Sequence, residues 1–149
     1  MWRRVALVAL SLGLICLYRT ALVIAFGYAS AVVMPRWWRD ALGHTHAAYW
    51  AWALTIDTLV TVAVSTPFAL LFARAYRRRW LLLSLLAAGF AVAADVAAVP
   101  TILADLPHAA ALTFYIQTLT TNTVRVLLVL PLLTWAAWQL SCHPRLERP

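Results

Sequence analysis

The stretch Gln117-Thr118-Leu119-Thr120-Thr121-Asn122-Thr123-Val124-Arg125 interrupts an otherwise apolar segment, and it decides how the rest of the chain folds. The residues on either side of it are mostly the Leu, Val and Ala of a membrane-spanning helix. Three other apolar segments each carry one charged residue, namely Arg19, Asp57 and Asp95. Polar and charged side chains are costly when they face lipid. We therefore expect four helices that surround a shared polar interior.

The composition places most of the chain in lipid. Its 149 residues are 64% hydrophobic and 11% charged, whereas a soluble domain is about half apolar and about a quarter charged. Four apolar segments are long enough to cross a bilayer, which takes about 20 residues. We predict an all-α integral membrane protein, a four-helix transmembrane bundle that forms a single domain over residues 1–149. The predicted spans are residues 5–33, 47–73, 80–99 and 109–138.

The first apolar segment has two interpretations. Its basic start and the Ala29-Ser30-Ala31 sequence are also found in a secretory signal with its cleavage site. However, its apolar run is longer than the about 7–15 residues of a signal core, and Arg19 interrupts it. We therefore expect this segment to be a retained membrane helix.

Proline and arginine positions predict the connections and the orientation of the helices. Pro35 and Pro100 are expected to end the first and third helices, which leaves loops at 34–46 and 100–108 on one side and at 74–79 on the other. Eight arginines lie at the two termini and in the 74–79 loop, against two in the 34–46 loop. Because arginine is enriched on the cytoplasmic side, both termini are predicted to be cytoplasmic. Basic residues that are all arginine are typical of a GC-rich bacterial genome, so a multi-pass protein of the bacterial cell inner membrane is expected.

The 34–46 loop contains the sequence Arg36-Trp37-Trp38-Arg39. Tryptophan and arginine are both favoured at the level of lipid headgroups, where apolar and polar surroundings meet. We expect these four residues to contact headgroups at the outer surface of the membrane.

Helical spacing gathers the intramembrane polar residues into stripes. Residues three, four or seven apart share one face of a helix, so Asp57 lies above Thr61, and Asn122 lies above Arg125. These stripes should face the bundle interior. The predicted polar network consists of Arg19, Asp57, Thr61, Asp95, Gln117, Thr121, Asn122 and Arg125.

The depth of each charge predicts how the charges pair. An ionisable group at the bilayer centre costs about 2.5 kcal/mol or more, so partners are expected. Asp57 lies at a depth from which it reaches Arg125 or Arg19. Asp95 lies five residues before Pro100, so it is expected nearer the outer surface, where it would meet water or Gln117.

Two interpretations of the predicted network remain open. In the structural one, the charge pairs fix helix register, and the protein is a non-catalytic accessory or assembly subunit of a larger membrane complex. In the functional one, the network lines a cavity open to the outer face, and the protein is a small transport or translocation component for an anionic amphipathic or lipid-linked substrate. Arg19 and Arg125 would hold the anion, because arginine binds phosphate and carboxylate with two hydrogen bonds. Asp57 or Asp95 would serve as a proton-coupling site.

An enzyme is not the favoured interpretation. The sequence contains no phosphate loop, GxSxG or HExxH motif. Asp57 and Asp95 on facing helices would suit an aspartyl-protease dyad. The lipoprotein signal peptidase family also has four spans, but its Asn-Ala-containing motifs are absent around either aspartate.

No cofactor or metal is expected. Every histidine falls outside the predicted helices, where axial haem ligation is disfavoured. The pair His44 and His46 is more typical of a solvated loop than of a metal site. The expected partners are membrane lipid and either a second copy of the chain or a larger membrane protein. Nucleic acid is not an expected partner.

Overall fold

The computed structural model describes residues 2–43, 45–76, 78–105 and 109–142. Over these residues the chain is helical, without strands. Its five helices are α1 (Trp2–Ala29), α2 (Arg36–Leu42), α3 (His46–Ala75), α4 (Trp80–Asp105) and α5 (Ala109–Cys142). All but α2 are long and apolar enough to cross a membrane. The prediction of an all-α chain with four helices long and apolar enough to cross a membrane is confirmed.

The four long helices form a ring in which α1 and α5 are diagonally opposite. Over the described residues, α1 packs against α3 and α4, and α5 also packs against α3 and α4. Helix α2 lies against α3. Because successive long helices run in opposite directions, the ends of α1 and α4 meet the starts of α3 and α5 at one end of the bundle.

Helix α1 ends earlier than predicted, at Ala29 rather than Val33. The backbone N–H groups of Ala31 and Val32 donate to carbonyl oxygens only three residues back, at 3.1 and 3.0 Å. Such short-range bonds tighten the last turn of a helix and terminate it. Residues 32–35 have no regular secondary structure, and Pro35 itself has an extended backbone. The α conformation is disfavoured for a residue that precedes a proline.

Helix α2 occupies part of the predicted outer loop. Its N-cap is Pro35, which is compatible with a helix start because a proline there has no N–H to satisfy. Gly43 ends it with φ of 73°, a left-handed conformation that glycine adopts without a steric penalty. Thr45 then caps α3, and its hydroxyl accepts a hydrogen bond from the Ala48 N–H at 3.2 Å.

The prediction that Pro100 ends the third helix is wrong, because α4 continues through this proline to Asp105. A proline inside a helix removes one backbone hydrogen bond and crowds the carbonyl four residues earlier. Membrane helices tolerate this because local adjustments satisfy the freed group. Pro67 in α3 and Pro131 in α5 are also internal to their helices. The longer α4 leaves Asp95 ten residues from its end, as Arg19 is from the end of α1.

The bundle presents large aliphatic side chains outwards and small ones inwards. Leu82 and Leu86 of α4 are 55% and 50% exposed, whereas Ala87 and Ala88 are fully buried. Small residues let neighbouring membrane helices approach closely. The outward leucines suit a lipid surface, since lipid and leucine are equally apolar.

The half of the bundle nearer the end of α3 and the start of α4 is tightly packed, and we call it the packed half. Phe72 and Leu130 are fully buried there. The Tyr18 ring packs edge-on against Phe68 with centroids 5.2 Å apart, and its hydroxyl shares a hydrogen bond with the Ser65 hydroxyl at 3.0 Å. The core on this side is therefore filled by side chains from all four long helices.

Candidate functional site

The other half of the bundle, nearer α2, encloses a cavity of about 610 Å³, and we call it the open half. Sites for small molecules commonly have volumes of about 300–1,000 Å³. The cavity extends from Arg19 and Asn122 near the middle of the bundle to Ser30 and Val32 beyond the end of α1. All four long helices contribute lining residues.

The inner end of the cavity is a chain of five polar residues, which we call the five-residue network. Arg19 of α1 contacts Asp95 of α4, with Nη2 and Oδ1 2.6 Å apart. Asn122 of α5 donates from Nδ2 to the other oxygen of Asp95 at 3.2 Å. The Asn122 Oδ1 accepts from Arg125 Nη2 at 3.3 Å. Arg125 Nη1 lies 3.6 Å from Asp57 Oδ2 of α3. The network therefore connects all four long helices.

Arg125 is the most buried member of the network, with 8% of its side chain exposed. Four of the five members line the cavity, and Arg125 lies behind them. Its guanidinium carbon lies 5.7 Å from the centre of the Phe26 ring of α1. Such a cation–π contact is worth about 0.5–2 kcal/mol. This contact links α5 to the diagonally opposite helix α1.

Several guanidinium donors in the network have no acceptor among the residues that the structure describes. These buried nitrogens are Arg19 Nε, Arg125 Nε and Arg125 Nη1. Leaving a buried donor unsatisfied costs about 1–3 kcal/mol, and more for a charged group. A ligand with oxygen acceptors would satisfy donors that the described protein residues leave unpaired.

Helical spacing explains how the network forms. Asn122 and Arg125 are three residues apart, so they are neighbours on one face of α5. Ala91, Asp95 and Ala98 follow the same rule on α4, and all three line the cavity. The two alanines leave space on either side of the carboxylate.

Asp95 pairs differently from our expectation, which placed it with water or Gln117. Because α4 continues past Pro100, Asp95 and Arg19 lie the same distance from the ends of their helices. They are therefore at similar depth, and the arginine reaches the carboxylate directly. Asp57 contacts Arg125, which is one of the two partners, Arg125 and Arg19, that its predicted depth allowed.

Three members of the predicted network lie outside the five-residue network. Thr61 is fully buried, and its hydroxyl donates to the Asp57 backbone carbonyl at 2.7 Å. The Thr121 hydroxyl donates to the carbonyls of Gln117 and Thr118 within α5. Gln117 is exposed, and it lines a separate crevice on the α3–α5 surface together with Trp50, Leu54 and Thr121.

The four residues that were predicted to contact headgroups lie in the first half of α2. Arg36 and Trp37 are exposed, while Trp38 and Arg39 are half-buried. The Trp38 Nε1–H donates to the Ala48 carbonyl at 3.1 Å. The Trp38 ring packs edge-on against Trp52, with centroids 5.3 Å apart. Because Trp52 also lines the cavity, this contact connects α2 to the cavity wall.

The aromatic walls of the cavity were missed by the sequence reasoning. Phe26, Trp50, Trp52 and Tyr115 all line it. The position of Phe26 could have been predicted from the sequence, because Phe26 lies seven residues after Arg19 and therefore on the same face of α1. The sequence did not identify Trp50 and Trp52 as cavity residues, because tryptophan near the end of a membrane helix is equally typical of the lipid interface.

Neither the aspartyl dyad nor a metal site appears in the described part of the chain. Asp95 is held by Arg19 and Asn122, and Asp57 faces Arg125, so the two carboxylates are engaged separately. No group of three His, Cys, Asp or Glu residues that could hold a metal ion is found among the described residues. His46 is exposed at the start of α3. His44, His108 and His143 lie outside the described residues.

Comparison with known proteins identified no similar family, protein or structure. No protein-family model, no curated protein and no solved structure matches this chain. The site is therefore interpreted from its own geometry and chemistry.

Proposed function

We propose that this protein is a small transport or translocation component that binds an anionic amphipathic or lipid-linked substrate in the cavity of the open half. The observation that carries this proposal is that Arg19, at the inner end of the cavity, and Arg125, directly behind it, hold buried donors without acceptors among the described residues. The substrate's anionic oxygens would accept hydrogen bonds from Arg19 and Arg125.

The walls of the cavity support the amphipathic character of the substrate. Leu22, Val23, Phe26, Ile56 and Leu119 form apolar surface above the polar inner end. A molecule with one polar head and an apolar tail would satisfy both surfaces at once. A fully hydrated ion would leave the apolar walls wet, so a small inorganic anion fits less well.

The proposal places the open half at the outer face of a bacterial inner membrane, with both termini in the cytoplasm. Arginine counting supports this orientation. The side chains of α2 support it as well, since Trp37 is 65% exposed on an amphipathic segment beside the cavity. Substrate would then enter the open half from the outer headgroup layer, and Arg36 and Arg39 would contact headgroups there.

The accessory-subunit alternative has one observation in its favour. The Gln117 side chain is exposed at a crevice on the surface of α3 and α5. A polar amide on the outer surface of a membrane helix is satisfied when another helix packs against it. A larger membrane partner or a second copy would dock at the crevice between α3 and α5.

Native mass spectrometry of the protein extracted with its own lipids tests the proposal. We expect wild type to carry an anionic amphipath, and Arg19→Ala and Arg125→Ala to lose it. Ala98→Phe should also lose it, because the ring would fill the cavity without removing a charge. Ala97→Phe is the matched control, since Ala97 is the exposed neighbour on the same helix.

The controls separate a binding site from a general loss of charge. Arg79→Ala removes an exposed arginine at the opposite end of the bundle and should keep the ligand. Wild type that carries no small molecule but co-purifies with a second polypeptide would contradict the transport proposal. A Gln117→Leu variant that loses this polypeptide would then support the accessory alternative.

A further inference from the structure

We propose that the anionic substrate binds together with one proton, and that Asp57 takes up this proton. The inference rests on the proposed function, because it concerns the same cavity and the same ligand. It is drawn from the charge balance of the five-residue network and from the unequal contacts of its two aspartates.

The network is electrically balanced before any ligand binds. It contains two arginines and two aspartates, and its remaining member, Asn122, is neutral. An added anion would leave one uncompensated negative charge among apolar walls, where isolated charge is costly. Uptake of one proton by a carboxylate restores the balance, so anion and proton bind favourably as a pair.

Asp57 is the aspartate with the fewer and longer polar contacts. Both oxygens of Asp95 are engaged, one by Arg19 at 2.6 Å and the other by Asn122 at 3.2 Å. Within the described residues, the Asp57 carboxylate has a single polar contact, with Arg125 at 3.6 Å. That distance is longer than a hydrogen bond. Protonation of Asp57 therefore weakens fewer polar contacts than protonation of Asp95 would.

Asp57 also lies between the ligand and Arg125. The Asp57 side chain is 28% exposed and lines the cavity, whereas Arg125 does not line it. A negatively charged Asp57 repels an entering anion and occupies the side of Arg125 that the anion needs. A neutral Asp57 no longer repels the anion or compensates the charge of Arg125, so a rotation of the neutral side chain would expose the Arg125 Nη1–H to a ligand oxygen.

The charged and titratable surroundings of Asp57 come from three helices. Arg19 from α1, Asp95 from α4 and Arg125 with Tyr115 from α5 lie around the cavity or directly behind it. The charged residues of α2 are absent from the cavity lining in the described part of the chain. Of these groups only Asp57 is a carboxylate that lines the cavity and has a distant charged partner, at 3.6 Å.

The exchange is balanced in charge and protons. One proton from solvent adds to the Asp57 carboxylate and makes a neutral carboxylic acid. The substrate's negative charge replaces that of Asp57 beside Arg125, so the net charge of the site is unchanged. The new Asp57 O–H can donate a hydrogen bond to a substrate oxygen.

The test measures binding of decyl methyl phosphate, a phosphodiester with one apolar chain and one constant charge, to detergent-solubilised full-length protein. Titrations run from about pH 5 to about pH 9, a range in which an ordinary carboxyl group stays ionised and an ordinary phenol stays neutral, so neither produces a slope unless ligand binding changes its protonation. Above the pH at which Asp57 is neutral, we expect wild-type affinity to fall about tenfold per pH unit, the slope for one bound proton. Asp57→Asn should bind with no such slope.

Two further variants and one further readout keep the result decisive. Asp57→Glu should retain the slope, as should Asp40→Asn, which removes an exposed carboxylate of α2. Calorimetry in buffers of different ionisation enthalpy counts protons directly and should find one taken up per ligand by wild type. This count holds even if Asp57→Asn does not fold.

Failure of this inference is distinguishable from failure of the proposed function. Wild type that binds the phosphodiester without proton uptake overturns the coupling and leaves the binding site intact. A slope that persists in Asp57→Asn overturns the choice of Asp57. Wild type that binds no phosphodiester at any pH overturns the proposed function itself.

Discussion

The packed half and the open half are built from the same four helices but are filled in opposite ways. In the packed half, aromatic and small side chains interlock, and Tyr18, Phe72 and Leu130 are fully buried. In the open half, charged residues link neighbouring helices around a cavity of about 610 Å³. The five-residue network lies where the two halves meet.

This difference indicates a division of roles along the bundle. Close packing stabilises membrane bundles through van der Waals contacts, because lipid offers little hydrophobic driving force between helices. A cavity forfeits those contacts, so the open half contributes less to stability and is free to bind a ligand. Substitutions in the packed half should therefore change stability, and those in the open half should change binding.

The largest expected effect is that of Phe72→Ala in the packed half. Removal of a fully buried phenylalanine leaves a void, and such changes cost about 3–5 kcal/mol of the free energy of unfolding. Denaturant unfolding in mild detergent measures the loss. Phe90→Ala is the control, because Phe90 is 45% exposed towards lipid and should cost about 0.5 kcal/mol or less. Equal losses at the two positions would show that the packed half is not the stable part.

Replacing an alanine by phenylalanine should have different effects in the two halves. Ala88 is fully buried in the packed half, so Ala88→Phe should cost about 1–3 kcal/mol through overpacking. Ala98 lines the cavity, so Ala98→Phe should leave the free energy of unfolding nearly unchanged while it blocks binding. Both variants are compared by denaturant unfolding. A severe loss of stability in Ala98→Phe would mean that the cavity is closed in the folded protein.

A pair of double-mutant cycles ranks the two ion pairs of the network. The Arg19–Asp95 contact is 2.6 Å and the Arg125–Asp57 contact is 3.6 Å. We expect a coupling free energy of about 2 kcal/mol for the first pair and about 1 kcal/mol or less for the second. The cycles combine Arg→Ala and Asp→Ala variants, with unfolding in detergent as the measurement. A stronger coupling at Arg125–Asp57 would remove the reason for choosing Asp57 as the proton site.

Much of this comparison was visible in the sequence. Composition predicted the four apolar helices, and the i, i+3 and i+4 spacing placed Asn122 and Arg125 on one face of α5. These inferences succeed because hydrophobicity and helical periodicity are local properties of the chain. Asp95 was misplaced because a proline was expected to end α4, and the tolerance of membrane helices for internal proline depends on tertiary surroundings.

The cavity itself could not be predicted. Its existence depends on how far apart α1 and α5 lie across the bundle, which no single segment specifies. The exposure of Gln117 was missed for a similar reason. A residue at the edge of a polar stripe turns inwards or outwards according to the rotation of its helix, and packing against α3 and α4 sets that rotation.

The smallest expected effect is that of Tyr18→Phe. The variant keeps the ring packed on Phe68 and removes only the hydrogen bond between the hydroxyls of Tyr18 and Ser65. Hydrogen bonds between membrane helices contribute about 0.6 kcal/mol on average, so the free energy of unfolding should fall by about that amount. Tyr28→Phe is the control, since Tyr28 is 77% exposed and should show no change. Because Tyr18 lies in the packed half, binding of the phosphodiester should be unchanged in both variants. A loss of binding in Tyr18→Phe would show that the two halves are coupled, because a hydroxyl outside the cavity would then control its occupancy.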